Sequence, residues 1–347
     1  MPYHAQEEIQ VFAGIDVSAR ALNVAWSRPE KDKETTATFT NTRPGHKALI
    51  AFLLRGNQHV RVCLEVTGNY SLDLALALHA HGQFEINVVN PRRARRFAES
   101  LGERSKTDPV DAHVLCEYAR RMPWVPWQPP SSTALHLRAV MRAVEDLTSI
   151  LTQEKNREHA LAASQALPAL VLTELKRHQR YLQNRLVRLR REALQLVARD
   201  PQLSRRFQLM QTTPGIGENS ALQILGELAV LPDTLDARQW VAFSGLDPRR
   251  FKSGTSVEQR PRISRSGSRH LRRALYMPAL VALRHDPHLG SFYQHLLEHG
   301  KARLQAVVAI MRKLLHAFFA MFRSDQPYDG SRLCPFELAN KPVASCG

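Results

Sequence analysis

Ten residues in the second quarter of the chain, Pro123 to Ser132, contain four prolines. Proline has no backbone N–H and a fixed φ angle, so a stretch this rich in proline interrupts helices and strands. The sequence before it carries short β-type patterns, whereas the sequence after it is almost entirely helical in pattern. With 347 residues, the chain also exceeds what one hydrophobic core usually organises. We therefore expect two or three folded units, with a boundary at these prolines.

The residues before the prolines alternate between strand and helix patterns. The predicted strands cover Val11 to Asp16, Ala21 to Ser27, Ala37 to Asn41, Val60 to Val66 and Glu85 to Asn90. The predicted helices cover Pro44 to Leu54, Tyr70 to His81 and Pro109 to Arg121. The order of these elements resembles that of the RNase H-like fold, which has three strands followed by a helix, a strand, a helix and a strand. We expect an α/β domain of that kind.

Beyond the prolines, a helical pattern runs from about Thr133 to Arg199 with little glycine and one proline, Pro168. Its apolar residues follow a seven-residue repeat, at Leu175, Leu182, Leu189 and Leu196, with Leu186 and Ala193 between them. Such a repeat predicts a coiled-coil or helical-hairpin arm, whose seam we expect to join copies of the chain. An ordinary amphipathic helix packed on its own domain is the alternative.

These patterns divide the chain into four predicted segments. They are an α/β domain over residues 10–122, a helical arm over 133–200, a mostly helical C-terminal domain over 208–325 and a tail over 326–347. The predicted fold class is thus α/β followed by mostly α.

The composition is strongly basic, with 48 Lys and Arg against 32 Asp and Glu and a formal net charge of +16. Basic side chains neutralise phosphates and release counterions, so we expect nucleic acid as a partner. The predicted phosphate-binding clusters are Arg92, Arg93, Arg95 and Arg96, and Arg262, Arg265, Arg269, Arg272 and Arg273. Charge alone does not separate DNA from RNA, and a solvated basic surface is the alternative.

The N-terminal residues lack the basic-then-apolar order of a secretory signal, and no run of about 18 apolar residues indicates a membrane span. We therefore expect a cytoplasmic protein that does not enter the membrane. The cysteines are Cys63, Cys116, Cys334 and Cys346. Because none forms a C-x-x-C pair, we expect buried or idle thiols instead of disulfides or a zinc site.

Four carboxylates stand where predicted strands end and a predicted helix begins. Asp16 ends the first strand and Glu65 the fourth, while Asp108 and Asp111 lie three residues apart across the first helical turn. Converging carboxylates repel one another unless cations neutralise them, and Mg²⁺ prefers such oxygen ligands. We predict a site for Mg²⁺ or Mn²⁺ suited to phosphoryl transfer. Taken singly, an Asp before a helix is more often a cap, and a strand-end Glu a surface residue.

A Gly-x-Asp after the first strand also occurs in sugar kinases and actin-like ATPases. Those proteins need further glycine-rich phosphate loops, which this sequence lacks, so we set that class aside.

Two glycines precede a helical pattern in the segment Thr213-Pro214-Gly215-Ile216-Gly217. The segment resembles a helix-hairpin-helix motif, in which backbone amides approach a nucleic-acid phosphate. We therefore predict that Gly215 and Gly217 bind nucleic acid. A tight turn between two helices is the alternative.

Two further segments complete a motif set. They are Phe243-Ser244-Gly245-Leu246-Asp247-Pro248-Arg249-Arg250-Phe251-Lys252-Ser253-Gly254 and Arg262-Ile263-Ser264-Arg265-Ser266-Gly267-Ser268-Arg269-His270-Leu271-Arg272-Arg273. With Gly-Ile-Asp, Glu-x-Thr-Gly and Lys-Thr-Asp-x-x-Asp earlier in the chain, they resemble the DEDD-type insertion-sequence transposases of the one-ten family, which are related to Piv-type DNA invertases. The resemblance runs from about Phe12 to Arg323.

The resemblance implies a RuvC-like metal site at Asp16, Glu65, Asp108 and Asp111. It also implies a nucleophilic serine at Ser253, flanked by Arg249, Arg250 and Lys252, which could hold a scissile phosphate. A serine hydroxyl needs a base or a metal to activate it. The resemblance further implies that the protein acts as a multimer, here a dimer or tetramer, with a structured guide RNA encoded beside the gene that pairs with donor and target DNA.

Two other functions stay open on the residues alone. One is a RuvC-like resolvase or nuclease that uses metal-activated water. The other is a non-catalytic nucleic-acid-binding protein that retains the fold.

Overall fold

A computed structural model describes residues 11–28, 34–56, 59–65, 70–103, 108–163, 169–253 and 257–333. The chain divides into two compact units between Pro129 and Pro130, inside the proline-rich stretch.

The N-terminal unit is a mixed α/β structure. Its strands are β1 (Val11–Val17), β2 (Ala21–Ser27), β3 (Thr35–Thr40), β4 (Val60–Glu65) and β5 (Phe84–Val89). Its helices are α1 (Arg43–Leu53), α2 (Leu72–His79), α3 (Pro91–Ser100) and α4 (Asp108–Arg121). The strands form one sheet in the order β3-β2-β1-β4-β5, in which β1 runs antiparallel to β2 and parallel to β4. This arrangement is consistent with an RNase H-like domain.

Each predicted strand and helix of this unit is present, with ends that differ by at most two residues. Helix α3 is an additional element, which the sequence did not predict. It begins with Pro91 after the cap residue Asn90, whose side chain accepts a hydrogen bond from the Arg92 backbone at 2.9 Å. Four of its ten residues are arginines and only Ala94 is buried, so it carries no apolar stripe that could reveal it.

The sheet is covered on both faces. Val11, Ala13 and Ile15 of β1 join an apolar cluster with residues of α1 and α2. Side chains alternate along a strand, so Gly14 and Asp16 face the other way, toward α4. On that second face, Cys63 of β4 packs with residues of α3 and α4.

The C-terminal unit is mostly helical. Its helices are α5 (Ser132–Ala162), α6 (Ala169–Arg199), α7 (Pro201–Gln211), α8 (Glu218–Leu228), α9 (Ala237–Ser244), α10 (Arg269–His285), α11 (Pro287–Glu298), α12 (Arg303–Ser324) and α13 (Gly330–Leu333). Two strands, β6 (Pro248–Ser253) and β7 (Val257–Ile263), form an antiparallel hairpin between α9 and α10. The sequence did not predict this hairpin, because its strands are largely polar and do not alternate. One continuous core joins α5 and α6 with the later helices.

Helices α5 and α6 form an antiparallel hairpin. The Gln179 side chain of α6 donates hydrogen bonds to the backbone carbonyl of Glu154, at 3.3 Å, and to the carboxylate of Glu158, at 2.7 Å. Leu182 and Leu186 are buried in the same apolar cluster as residues of α5. The structure therefore corrects the expectation that the heptad seam joins copies of the chain, because α5 of the same chain already covers it.

Helix α12 is, among the described helices, the one that is long and apolar enough to cross a membrane. Half of its most apolar stretch is buried inside the unit, where Ile310, Leu314 and Phe318 join the core. Its apolar character is thus explained by core packing.

Candidate active-site residues

Helix α4 crosses strand β1 at Gly14. A Cβ atom on Gly14 would overlap the backbone carbonyl oxygen of Ala112 and the backbone nitrogen of Cys116. Only glycine allows this close approach, which brings the first turns of α4 against the middle of β1. Asp111 immediately precedes Ala112, and the approach therefore holds Asp111 beside the strand that carries Asp16.

Asp16 and Glu65 lie side by side near the ends of neighbouring parallel strands. Ile15 of β1 lies opposite Leu64 of β4, so Asp16 and Glu65 are the next residues along each strand. Glu65 stands two residues after Cys63, which packs against α4, and Asp16 stands two residues after Gly14. Both side chains therefore lie on the face of the sheet that α4 covers.

A cavity of about 650 Å³ connects this face with helix α3. Glu65 and Asp111 line it together with Arg92 and Arg95. Arg95 also pairs with Glu99 at 3.2 Å on the exposed side of α3. The cavity thus combines carboxylates with guanidinium groups, which are the two kinds of side chain that a metal ion and a phosphate would need.

The four predicted metal ligands are only partly described. Asp16, Glu65 and Asp111 lie at the same end of the sheet, but the side chain of Asp108 is outside the described residues. Within the described part of the chain, no group of three His, Cys, Asp or Glu side chains is arranged to hold a metal ion.

Two buried thiols lie behind the carboxylates. Cys63 and Cys116 are free and fully buried, as expected from the sequence. Burial raises the pKa of the Cys116 thiol to about 12, although the nearby Ser27 hydroxyl, at 3.6 Å, opposes the rise. Burial also raises the pKa of Cys63 well above its usual range. Cys334 and Cys346 lie outside the described residues.

In the C-terminal unit, the predicted nucleophile segment lies on the β6–β7 hairpin. Ser253 is the last residue of β6 and pairs with Val257 of β7. It therefore stands at the end of the hairpin that is farthest from the core helices α9 and α10. The side chains of residues 250–261, which include Arg250 and Lys252, are outside the described part, and Arg249 is exposed.

The residues at the base of this hairpin pack closely against one another. Gly245 has a left-handed φ of 67°, and a Cβ atom there would lie 2.6 Å from the Arg272 guanidinium. A Cβ atom on Gly267 would overlap the carbonyl oxygen of Phe243. Arg272 donates to the carbonyl oxygens of Ser244, at 2.7 Å, and Gly267, at 3.2 Å. These contacts fix both ends of the hairpin on the start of α10.

Two serines near the hairpin have hydrogen-bonding partners in this base. The Ser264 hydroxyl donates to Asp247 at 2.5 Å. The Ser268 hydroxyl caps α10 by accepting from Leu271, at 3.2 Å, and donates to Glu227 at 2.8 Å. Both hydroxyls therefore contribute to the structure of the base.

The predicted basic cluster that runs from the end of β7 into α10 divides into exposed and partnered arginines. Arg262, Arg265 and Arg269 are exposed. Arg272 is partly buried in the hairpin base, where burial and the charge of Arg265 lower its pKa. Arg273 pairs with Glu145 of α5 at 3.2 Å while remaining largely exposed. In the first cluster, Arg92, Arg93, Arg95 and Arg96 are all exposed on α3.

A buried carboxylate that sequence reasoning missed links α8, α5 and α10. Glu227 accepts two hydrogen bonds from Arg142, at 2.6 and 3.0 Å, and one from Ser268. Burial would raise its pKa, but Arg142, Ser268 and His270 together hold it below the ordinary range. A single acid in the apolar stretch of α8 was the signal that could have revealed it.

A second polar contact lies beside the first. His270 Nδ1 is 2.7 Å from a carboxylate oxygen of Glu145. A cavity of about 220 Å³ is lined by residues of both contacts, including Glu227 and His270.

The predicted helix-hairpin-helix glycines differ in their surroundings. Gly215 has a φ of 86°, and a Cβ atom there would lie 2.9 Å from backbone atoms of Pro278 and Ala282 in α10. It is therefore needed for packing. Gly217 is the cap residue immediately before α8, and a Cβ atom there would meet nothing within 4 Å. Gly217 thus leaves an open approach to the start of α8.

Comparisons with known proteins identify the family. A DEDD-type transposase profile of the IS110 group matches residues 13–165, and a profile described as the transposase IS116/IS110/IS902 family matches residues 207–294. The chain belongs to the IS110 family of transposases. This IS110-family chain is 29% identical over 324 residues to the pilin gene-inverting protein of Moraxella bovis, covering 92% of the chain and 98% of that protein.

A second relative is the transposase for insertion sequence element IS1328 of Yersinia enterocolitica. It is 26% identical over 244 residues, which covers 63% of the chain and 67% of that protein. With transposase and DNA-inverting relatives, the IS110-family chain is a DNA recombinase of the transposase type.

A DEDD-type domain implies the use of a divalent metal ion. The residues present fit such an ion, because the candidate ligands are carboxylates and two of them, Glu65 and Asp111, line one cavity.

Proposed function

We propose that this IS110-family protein cuts and rejoins DNA through a covalent intermediate at Ser253, with Asp16, Glu65, Asp108 and Asp111 as a Mg²⁺ site. The observation that carries the proposal is the shared cavity of Glu65 and Asp111 with arginines of α3. Carboxylates there can hold a cation, and the neighbouring guanidinium groups can hold phosphate.

The assignment of Ser253 is supported by its place on the hairpin. Ser264 and Ser268 lie nearby in sequence, but their hydroxyls donate to Asp247 and Glu227 in the hairpin base. Ser253 lies at the far end of β6. A nucleophile at the end of a strand whose base is rigid can approach a DNA strand without disturbing the core.

The proposed step exchanges one phosphoester bond for another. The Ser253 hydroxyl oxygen bonds to phosphorus and gives up its proton, while the bond from phosphorus to one sugar oxygen breaks and that oxygen leaves as a hydroxyl. A hydroxyl of a different strand then reverses the step and releases Ser253. Because each phosphoester bond that breaks is replaced, strands are rejoined without ATP. A bound metal would stabilise the negative charge that develops on oxygen.

The basic residues supply binding and charge compensation. Arg249, Arg250 and Lys252 flank the nucleophile in sequence, so they offset the charge of the phosphodiester. The exposed arginines of α3, together with Arg262, Arg265 and Arg269, hold the nucleic-acid backbone, and Gly217 lets a phosphate approach the start of α8.

The partners follow from the same proposal. They are donor and target DNA, a structured guide RNA encoded beside the gene, and further copies of the chain, with which the two units of different subunits complete one site. Residues 10–122 would act as the metal-binding domain, 133–200 as the arm and 208–325 as the serine domain. The reaction would take place in the cytoplasm.

Trapping the covalent intermediate tests the role of Ser253. The protein is incubated with Mg²⁺, guide RNA and a substrate nicked beside the cleavage site, and DNA-linked peptides are mapped by mass spectrometry. We expect the Ser253→Ala protein to bind RNA and DNA but to form no adduct. The exposed Ser266 provides a matched control, since Ser266→Ala should form the adduct at the native level. An adduct on another residue, or normal strand exchange by Ser253→Ala, would refute the assignment.

The metal site has a separate test. Glu65→Gln and Asp111→Asn should lose strand cleavage and weaken binding of Mn²⁺, which electron paramagnetic resonance measures without turnover. Glu99 lines the same cavity, so Glu99→Gln is the control and should retain both properties. Native Mn²⁺ affinity in both site variants would contradict the proposal.

A further inference from the structure

Helix α6 is far more basic than its role in the hairpin requires. It carries eight Lys and Arg residues against two acids, Glu174 and Glu192. Burial of the leucine seam needs none of these cations, and none belongs to the basic clusters discussed above. The charge therefore calls for an explanation outside the hairpin.

Four of the arginines form a stripe on the outer face of α6. We call Arg177, Arg180, Arg188 and Arg191 the outer stripe; all four are exposed. At 3.6 residues per turn they lie on the side of α6 opposite the buried residues Leu182 and Leu186. The stripe runs over about 21 Å, at 1.5 Å per residue.

Most of the positive charge of the outer stripe is not neutralised by ion pairs within the described structure. Arg177 pairs with Glu174 at 2.6 Å, but both side chains are largely exposed, so water and salt weaken that pair. Arg180, Arg188 and Arg191 make no ion pair with any residue that the structure describes. Helix α6 packs on α5, α7 and α8 through its other side.

We infer that the outer stripe of α6 binds the phosphate backbone of duplex DNA. Arginine side chains in a row suit a duplex backbone, which carries about one phosphate per strand for every 3.4 Å of the B-DNA helix axis. Contacts of this kind position a protein on DNA without reading its sequence.

Two other occupants fit the stripe less well. A second copy of the chain, paired through the same face, would bring like charges together across a two-fold axis. Single-stranded nucleic acid is usually held on several aromatic side chains, whereas Tyr181 is the exposed aromatic residue that the described part of α6 offers. A polyanionic duplex fits the charge and the straight helix, and duplex DNA is the one that a DNA recombinase must hold.

The test measures how salt weakens binding to a short DNA duplex of random sequence. The Arg180→Gln, Arg188→Gln, Arg191→Gln triple variant of the full chain removes three proposed contacts and keeps good helix formers. Each contact contributes about 0.9 to the slope of log affinity against log salt, so the slope should fall by roughly 2.7. Between 50 and 200 mM salt, the native protein should then lose about 40-fold more affinity than the variant.

Two controls separate the stripe from net charge and from folding. Arg284→Gln, Lys301→Gln, Arg303→Gln removes the same charge from exposed positions elsewhere in the unit and should leave the slope near native. Replacing the three stripe arginines with lysine should also retain most of the slope, because the charge is kept. The proposal is wrong if the stripe and control variants change the slope equally, if only binding of an RNA duplex changes, or if the stripe variant alters the assembled mass instead.

Discussion

A Cβ atom on Gly14 would overlap the backbone carbonyl oxygen of Ala112. The contact joins the middle of the central strand β1 to the first turns of α4, one residue after Asp111. It therefore sets how near that carboxylate lies to the end of β1, and it makes a backbone contact part of the candidate metal site.

Enlarging Gly14 should damage both the fold and the site. Gly14→Ala forces α4 away from β1, which should cost at least the 1–3 kcal/mol typical of overpacking, and should reduce strand cleavage by displacing Asp111. Urea unfolding and a cleavage assay measure the two effects. Gly82 is the matched control, because a Cβ atom there would meet nothing within 4 Å. Native stability and cleavage in Gly14→Ala would show that α4 can shift freely.

Truncating a buried leucine of the heptad seam should destabilise the chain without changing its native mass in solution. Leu182 is 2% exposed in the α5–α6 hairpin, so Leu182→Ala should lower the free energy of unfolding by about 2–5 kcal/mol. The protein that remains folded should keep its native mass in sedimentation. On the same helix Val187 is 54% exposed, and Val187→Ala should change stability by less than about 0.5 kcal/mol. A smaller assembly with unchanged stability would show instead that the seam forms an interface between subunits.

Acid should weaken the C-terminal unit through Glu227. Its pKa is lower in the folded chain than the ordinary value of 4.5, so its ionised form stabilises the fold above that pH. The contribution is lost as pH falls through the lower, folded pKa. Glu227→Gln should therefore be less stable at neutral pH, by roughly 1.5–3 kcal/mol for the lost charged hydrogen bonds, and should lose less stability on acidification.

Circular dichroism during urea unfolding, repeated from pH 7 to pH 3, measures this difference. Glu192→Gln on the exposed side of α6 controls for a change of charge alone. If native protein and Glu227→Gln lose stability in parallel as the pH falls, Glu227 does not govern the acid response.

The buried thiols should resist alkylation until the N-terminal unit unfolds. With a pKa of about 12, Cys116 is ionised in about one molecule in ten thousand at pH 8, and burial also blocks access. Peptide mass spectrometry after iodoacetamide treatment should find Cys63 and Cys116 unmodified in native protein and modified in urea. An introduced thiol at Val125, which is 62% exposed, should react in both states. Rapid native labelling of Cys116 would mean that α4 opens from the sheet.

The sequence predicted the N-terminal elements because their apolar residues repeat with strand or helix periods. It missed α3, where Ala94 is the one buried residue, and the hairpin ending at Ser253, whose strands are polar. Apolar periodicity in a sequence arises from burial of one face of an element; α3 buries Ala94 alone, and the polar strand sequences of the hairpin carry no such period.

The candidate site was likewise predictable only in part. The order of the strands predicts that Asp16 and Glu65 end side by side, and the register agrees. No spacing in the sequence indicates that Arg92 would share a cavity with Glu65, or that Arg142 would bind Glu227 across 85 residues. Pairs of charged side chains depend on how distant helices pack, which leaves no local pattern.

The antiparallel α5–α6 hairpin could change in length without a change in its packing. Each helix has 31 residues and spans about 46 Å, and the two are joined at one end by a short connection. Adding seven residues to each helix at that end would extend the hairpin by about 10 Å while keeping every leucine on the same side. The length of the hairpin can thus be increased or reduced by whole heptads, with the core around α8 and α10 left untouched.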